Sequence, residues 1–123
     1  MRPKSRTLTE QELEIMKVVW ELQTATVRDV YEALLRRRKI AYTTVMTMMR
    51  ILETKKYLKR KQSDRAYVYR PTQPKSLVIG GMVREFVNRV FNGSAEPLLV
   101  HLVKQHDLTA EDLEEIARMR KEP

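Results

Sequence analysis

Apolar residues recur at helical spacing over most of this chain, with one interruption where they alternate. The segment Leu8-Thr9-Glu10-Gln11-Glu12-Leu13 is a capping box: Thr9 is the N-cap, Glu12 stands at N3, and Leu8 can staple onto Leu13. It predicts a helix from Glu10 to near Leu22, with Leu13, Met16, Val19 and Trp20 turned inward. Thr26 can cap a second helix, in which Val27, Val30, Tyr31, Leu34 and Leu35 fall at i, i+3, i+4, i+7 and i+8, the pattern of a half-buried helix. That helix closes with Arg36-Arg37-Arg38-Lys39, whose cations suit a helix C-terminus. A short Ile40-Ala41-Tyr42 connection leads to a third helix over Thr43 to Lys55, where Val45, Met48, Met49 and Leu52 share an arc of about 100°. The period then changes. Leu58 to Lys61 and Ala66 to Pro71 read as two short strands around Gln62-Ser63-Asp64-Arg65, with Tyr67 and Tyr69 alternating against Val68.

From Pro74, a good first residue for a helix, Leu77, Ile79, Met82, Val83, Phe86, Val90 and Phe91 form a helix too apolar for a small module to leave bare. Gly80-Gly81 would weaken it, which implies a kink or the close approach of another backbone. Asn92-Gly93-Ser94 ends it, with Gly93 as the left-handed residue. Leu98, Leu99, Leu102 and Val103 mark one further helix. Leu108-Thr109-Ala110-Glu111-Asp112-Leu113 repeats the cap and staple of the first helix and opens the last, with Ile116 and Ala117 inward. The fold class is mainly α with a small β-hairpin: a winged helix-turn-helix over residues 1–72, then a three-helix region over 73–123. About fifty residues in three helices cannot bury that much apolar surface alone, so isologous pairing with a second copy is the economical solution. The residues expected in that dimer interface are Met82, Val83, Phe86, Val90, Phe91, Leu98, Leu99, Leu102, Leu113 and Ile116. Packing back onto the chain's own winged helix is the alternative.

Charge then changes the picture. The net charge of +8 divides unevenly: residues 1–72 hold 17 Lys/Arg against 8 Asp/Glu, and residues 73–123 hold 7 against 8. A charge kept only for solubility has no reason to stop at Thr72, whereas a module that docks on phosphates does. The outward face of the third helix carries Thr43, Thr47, Arg50 and Thr54, with Thr44 and Met46 on its shoulders and no acid. Such a face suits a DNA groove, because threonine offers a donor, an acceptor and a methyl to base edges, while arginine reaches guanine or phosphate. An ordinary solvated face is the bland alternative. Arg38 and Lys39 can rest against the DNA backbone, and Lys59, Lys61, Arg65 and Arg70 on the hairpin can reach phosphate or the minor groove. A nonspecific nucleic-acid or protein-interaction module would share the basic half without the sequence preference.

These residues resemble the penicillinase-repressor family of bacterial winged-helix regulators, of the BlaI and MecI type. The resemblance rests on Leu8, Thr9, Glu12, Ile15, Met16 and Trp20, on Ala41-Tyr42-Thr43-Thr44-Val45-Met46-Thr47, on the turn from Leu52 to Leu58, and on Arg65 to Pro71. It implies a homodimeric repressor on a palindromic operator, of antibiotic-response or related genes, with Thr43, Thr44 and Thr47 at the family's DNA-contacting positions. Two positions depart from the family pattern. Ile51 stands where the family carries a phosphate-binding arginine, a task left to Arg50, and Lys56 stands where the family tends to place glycine. A lysine is strained in the left-handed conformation, so the third helix is expected to end differently.

Other chemistry is sparse. There is no cysteine, so no disulfide framework, thiolate metal site or cysteine nucleophile, which fits a reducing cytoplasm. The basic start MRPKSRTLTEQ has no apolar segment after it, which argues against a signal peptide. His101 and His106 do not share a helix face and make a poor metal site. Glu111, Asp112, Glu114 and Glu115 complement a helix dipole. No glycine-rich phosphate loop or nucleophile motif is present, so the expectation is a cytoplasmic protein that is no enzyme and needs no cofactor. Penicillin-responsive members of the resembled family are inactivated by a protease that cuts an Asn-Phe bond. Alignment puts His101-Leu102 there, so the expected Asn-Phe pair is missing, and His101-Leu102 is the possible cleavage region only if a membrane-bound sensor protease is a partner. An intact chain after incubation with the cognate membrane protease would remove that hypothesis.

Overall fold

A computed structural model describes residues 7–120. In order, they form α1 (Glu10–Leu22), α2 (Val27–Leu35), α3 (Tyr42–Thr54), β1 (Leu58–Ser63), β2 (Ala66–Pro71), α4 (Lys75–Phe91), α5 (Ala95–His106) and α6 (Ala110–Met119). Two compact units divide inside α4, Met1–Met82 and Val83–Pro123.

Local chemistry starts the first two helices. Thr9 Oγ1 accepts from the Glu12 amide at 3.2 Å, while the Glu12 carboxylate accepts from the Thr9 amide at 2.9 Å. Thr26 and Asp29 repeat that reciprocal cap on α2. Each box satisfies two amides that would otherwise be orphaned at a helix start. α2 ends at Leu35, earlier than the sequence pattern implies, and the amides of Arg37 and Arg38 fold back on the Leu34 carbonyl at 2.9 and 3.1 Å.

Tertiary packing takes over from there. Ile15, Met16 and Val19 of α1 meet Val30 and Leu34 of α2 and Val45, Met49 and Leu52 of α3 in one apolar core. The hairpin closes it with Leu58 and Tyr69, and the start of α4 adds Val78 with Met82 packed alongside. Leu35, expected inward, is exposed instead, because it lies about 100° around α2 from Leu34, off the buried stripe of Val30 and Leu34.

The strands pair antiparallel, with Leu58 opposite Pro71, Lys59 opposite Arg70, Arg60 opposite Tyr69 and Lys61 opposite Val68. A third piece of sheet is formed by Ala25, whose amide donates to the Tyr69 carbonyl at 2.9 Å and whose carbonyl accepts from the Tyr69 amide at 2.8 Å. β2 therefore lies between β1 and the α1–α2 connection.

The end of α3 corrects one expectation. Lys56 adopts the left-handed conformation, φ 72°, despite its side chain. The Tyr57 amide donates to the Leu52 carbonyl and the Lys56 amide to the Glu53 carbonyl, both at 2.9 Å, which is the Schellman arrangement. Thr72 Oγ1 adds a hydrogen bond to the Lys56 carbonyl at 2.7 Å, so the surroundings impose a backbone that the residue alone disfavours.

The second unit holds itself differently. Phe91 sits edge-on to Phe86 at 5.9 Å between ring centres and tilts against His101 at the same distance. Asn92 and Gly93 both take positive φ where α4 stops. Thr109 and Asp112 form a third capping box. Among its described residues none is fully buried, and Val83, Phe86, Val90, Leu99, Val100, Leu102, Ile116 and Met119 are exposed. At Gly80 and Gly81 α4 runs unbroken, and an added Cβ would meet nothing within 4 Å.

Candidate nucleic-acid interface

Burying Val45, Met49 and Leu52 turns the opposite side of α3 to solvent. Thr43, Thr47 and Arg50 are exposed there, and Thr44 and Met46 are half-buried at its margins. From Thr43 to Arg50 the helix rises about 10 Å, a length that fits a major groove roughly 12 Å wide. Ala41 provides no side-chain cap and the first turn contains no acid, so the positive end of the helix dipole is left uncompensated. Ile51 is exposed beside Arg50.

The hairpin sorts its cations by register. Residues paired across strands share a face and alternate residues oppose it. Lys59, Lys61 and Arg70 therefore lie on one face, and Arg60 on the other with Tyr67 and Tyr69. Arg65 sits in the turn at the hairpin tip. Arg50, Lys39, Lys59, Lys61, Arg65 and Arg70 have no ion pair among the described residues.

Arg38 is placed otherwise. Its Nη2 donates to Glu14 Oε1 at 2.8 Å and its Nε to Oε2 at 3.4 Å, joining the connection after α2 to α1. The Arg38 hydrogen bond, opposed by burial, holds the Glu14 carboxyl below the usual carboxylate range. A phosphate would have to compete with Glu14 for that guanidinium.

Lys55, at the end of α3, makes a contact close to this face that local patterning does not find. Its ammonium donates to both oxygens of Glu12, at 2.9 and 3.0 Å, and the Glu12 side chain is 4% exposed. Burial by itself would raise the Glu12 carboxyl, but the Thr9 amide and then Lys55 outweigh it and its pKa is lowered. A carboxylate with a depressed folded-state pKa contributes stability that is complete above its unfolded value, about 4.3, and is lost as pH falls through the folded value. Urea unfolding followed from pH 7 to below pH 4 is therefore expected to weaken more steeply for the natural protein than for Glu12→Gln, which keeps the cap but not the charge. Parallel curves would show that the pair contributes nothing.

The expected dimer residues divide between the units. Met82 is half-buried against the winged-helix core. Val83, Phe86, Val90, Leu99, Leu102 and Ile116 are exposed, while Phe91, Leu98 and Leu113 are half-buried. His101 and Leu102 fall inside α5 on exposed positions, with their backbone in regular helix. Among the described residues no group of three or more metal-binding side chains converges, and no helix is long and apolar enough to cross a membrane.

Residues 8–122 match the family described as penicillinase repressor. The chain is 38% identical over 104 residues to the transcriptional regulator BlaI of Mycobacterium tuberculosis, covering 83% of this chain and 75% of that one. It is also similar to the solved DNA-binding domain of the repressor BlaI, with 28% identity, a TM-score of 0.53, and coverage of 61% of this chain and 92% of that one. The Bacillus licheniformis BlaI monomeric form, solved in complex with the blaP half-operator, matches at 28% identity and a TM-score of 0.50, covering 57% and 85%.

Proposed function

The chain belongs to the penicillinase repressor family, and from that membership we propose that it is a homodimeric, sequence-specific DNA-binding transcriptional repressor that reads a palindromic operator. The observation that carries this reading is the acid-free outward face of α3 together with Lys59, Lys61, Arg65 and Arg70 of the hairpin, which have no ion pair among the described residues. α3 enters a major groove, where Thr43, Thr44, Met46, Thr47 and Arg50 meet base edges and neighbouring phosphates. Lys59, Lys61 and Arg65 hold the backbone alongside, with Lys39 and, once released from Glu14, Arg38. The solved complex of a BlaI monomeric form with a half-operator supports one chain per half-site.

Pairing through the second unit then doubles the site. Its exposed apolar residues support a second copy as the partner. Release by a membrane-bound sensor protease within α5 belongs to the same reading, and it requires the helix around His101-Leu102 to open first.

Selection of binding sites from a random duplex pool at fixed salt tests the reading. A palindromic consensus is expected, and Thr47→Ala should cost about 1–3 kcal/mol at particular base pairs while leaving others unaffected. If random and selected duplexes bound equally well, and salt alone set the affinity, the protein would be a nonspecific module instead.

A further inference from the structure

The basic run of β1 contains one cation that does not behave like its neighbours. Arg60 Nε lies 3.3 Å from Glu53 Oε2 on α3, and its guanidinium carbon sits 4.1 Å from the centre of the Tyr67 ring on β2. It stands opposite Tyr69, the buried tyrosine that β2 anchors to Ala25. One side chain thus bridges both strands of the hairpin and the helix whose outer face carries the threonines. Both side chains are about one-third exposed, Arg60 30% and Glu53 32%, so the pair alone would be a weak contact in water. Stacking on Tyr67 adds a planar restraint to the charge, which lysine could not supply.

We propose that Arg60 is a positioning residue, which with Glu53 and Tyr67 sets the angle between the hairpin and α3 and so lets Lys59 and Lys61 reach phosphate while α3 is seated. This rests on the DNA-binding reading above. Arg60 therefore serves DNA binding without touching DNA, and Glu53, a carboxylate on the very helix that approaches the polyanion, strengthens binding.

The two roles differ in sign. If Glu53 acted only through its charge, removing it would tighten binding by lowering repulsion. If Arg60 touched phosphate, neutralising it would lower the slope of log affinity against log salt by about 0.9. The full-length protein and its Glu53→Gln, Arg60→Gln, Arg60→Lys, Tyr67→Leu and Lys59→Gln variants are titrated by fluorescence anisotropy against the duplex recovered in the selection, at four salt concentrations, with thermal melts to confirm folding. Glu53→Gln, Arg60→Gln, Arg60→Lys and Tyr67→Leu should each weaken binding about three- to tenfold with the salt slope unchanged, and the Glu53→Gln/Arg60→Gln double variant should be no weaker than the worse single one. Lys59→Gln should lower the slope. Tighter binding by Glu53→Gln, or a slope for Arg60→Gln reduced like that of Lys59→Gln, overturns the positioning role while leaving the repressor reading intact. Failure of the unaltered protein to prefer the selected duplex overturns both.

Discussion

Replacing Met49 with alanine is expected to destabilise the winged-helix unit by about 2–5 kcal/mol, the range for truncating a fully buried methionine. Met49 is completely buried, on the same stripe of α3 as Val45 and Leu52, and that stripe packs against α1 and α2 together. The cavity would therefore open where three helices meet, a place with little freedom to collapse. A domain of this size has about 5–15 kcal/mol in total, so the loss is a large share of it. The midpoint of urea unfolding by circular dichroism should fall with the slope unchanged. A loss below about 1 kcal/mol would mean that α3 is not seated as described, and the orientation of its threonine face would lose its basis.

The second large effect is expected from Phe86→Asp. Phe86 is 40% exposed and makes a T-shaped contact with Phe91, in a unit where no described residue is fully buried. A carboxylate there would have to be desolvated in any apolar interface, which is costly without a partner. The variant should sediment as a monomer at micromolar concentration, where the natural protein should sediment as a dimer. Its affinity for a full palindrome should drop about 100-fold or more, since linking two half-sites multiplies affinity by roughly that factor, while its affinity for a single half-site should hardly change. A dimeric variant with undiminished operator binding would remove this surface from the interface, and a monomeric natural protein would remove the dimer itself.

What could be seen in advance depended on the range of the interaction. The starts of α1, α2 and α6 were legible because a cap is local: its two partners stand three positions apart and close on each other, as Thr9–Glu12, Thr26–Asp29 and Thr109–Asp112 do. The threonine face of α3 was legible because helical period alone separates it from Val45, Met49 and Leu52. Contacts across the fold leave no such mark. Glu12 read only as a cap, and nothing near it announces Lys55, 43 residues away. Ala25 and Tyr69 pair through backbone groups that every residue has. Lys56 defeated a rule of propensity, since two backbone hydrogen bonds and Thr72 hold it where glycine would be comfortable. The different placing of Arg60 left a trace in the alternation of the hairpin, but it needed the strand register to become visible.

The position of β2 between Ala25 and β1 has a bearing on handling the protein. It leaves β1 as the open margin of the sheet, and an unpaired margin invites a strand from another molecule unless something repels it. Lys59 and Lys61 stand on that margin. If these lysines meet phosphate as proposed, the same two charges would also keep its molecules apart, and a variant stripped of both should clump at high concentration.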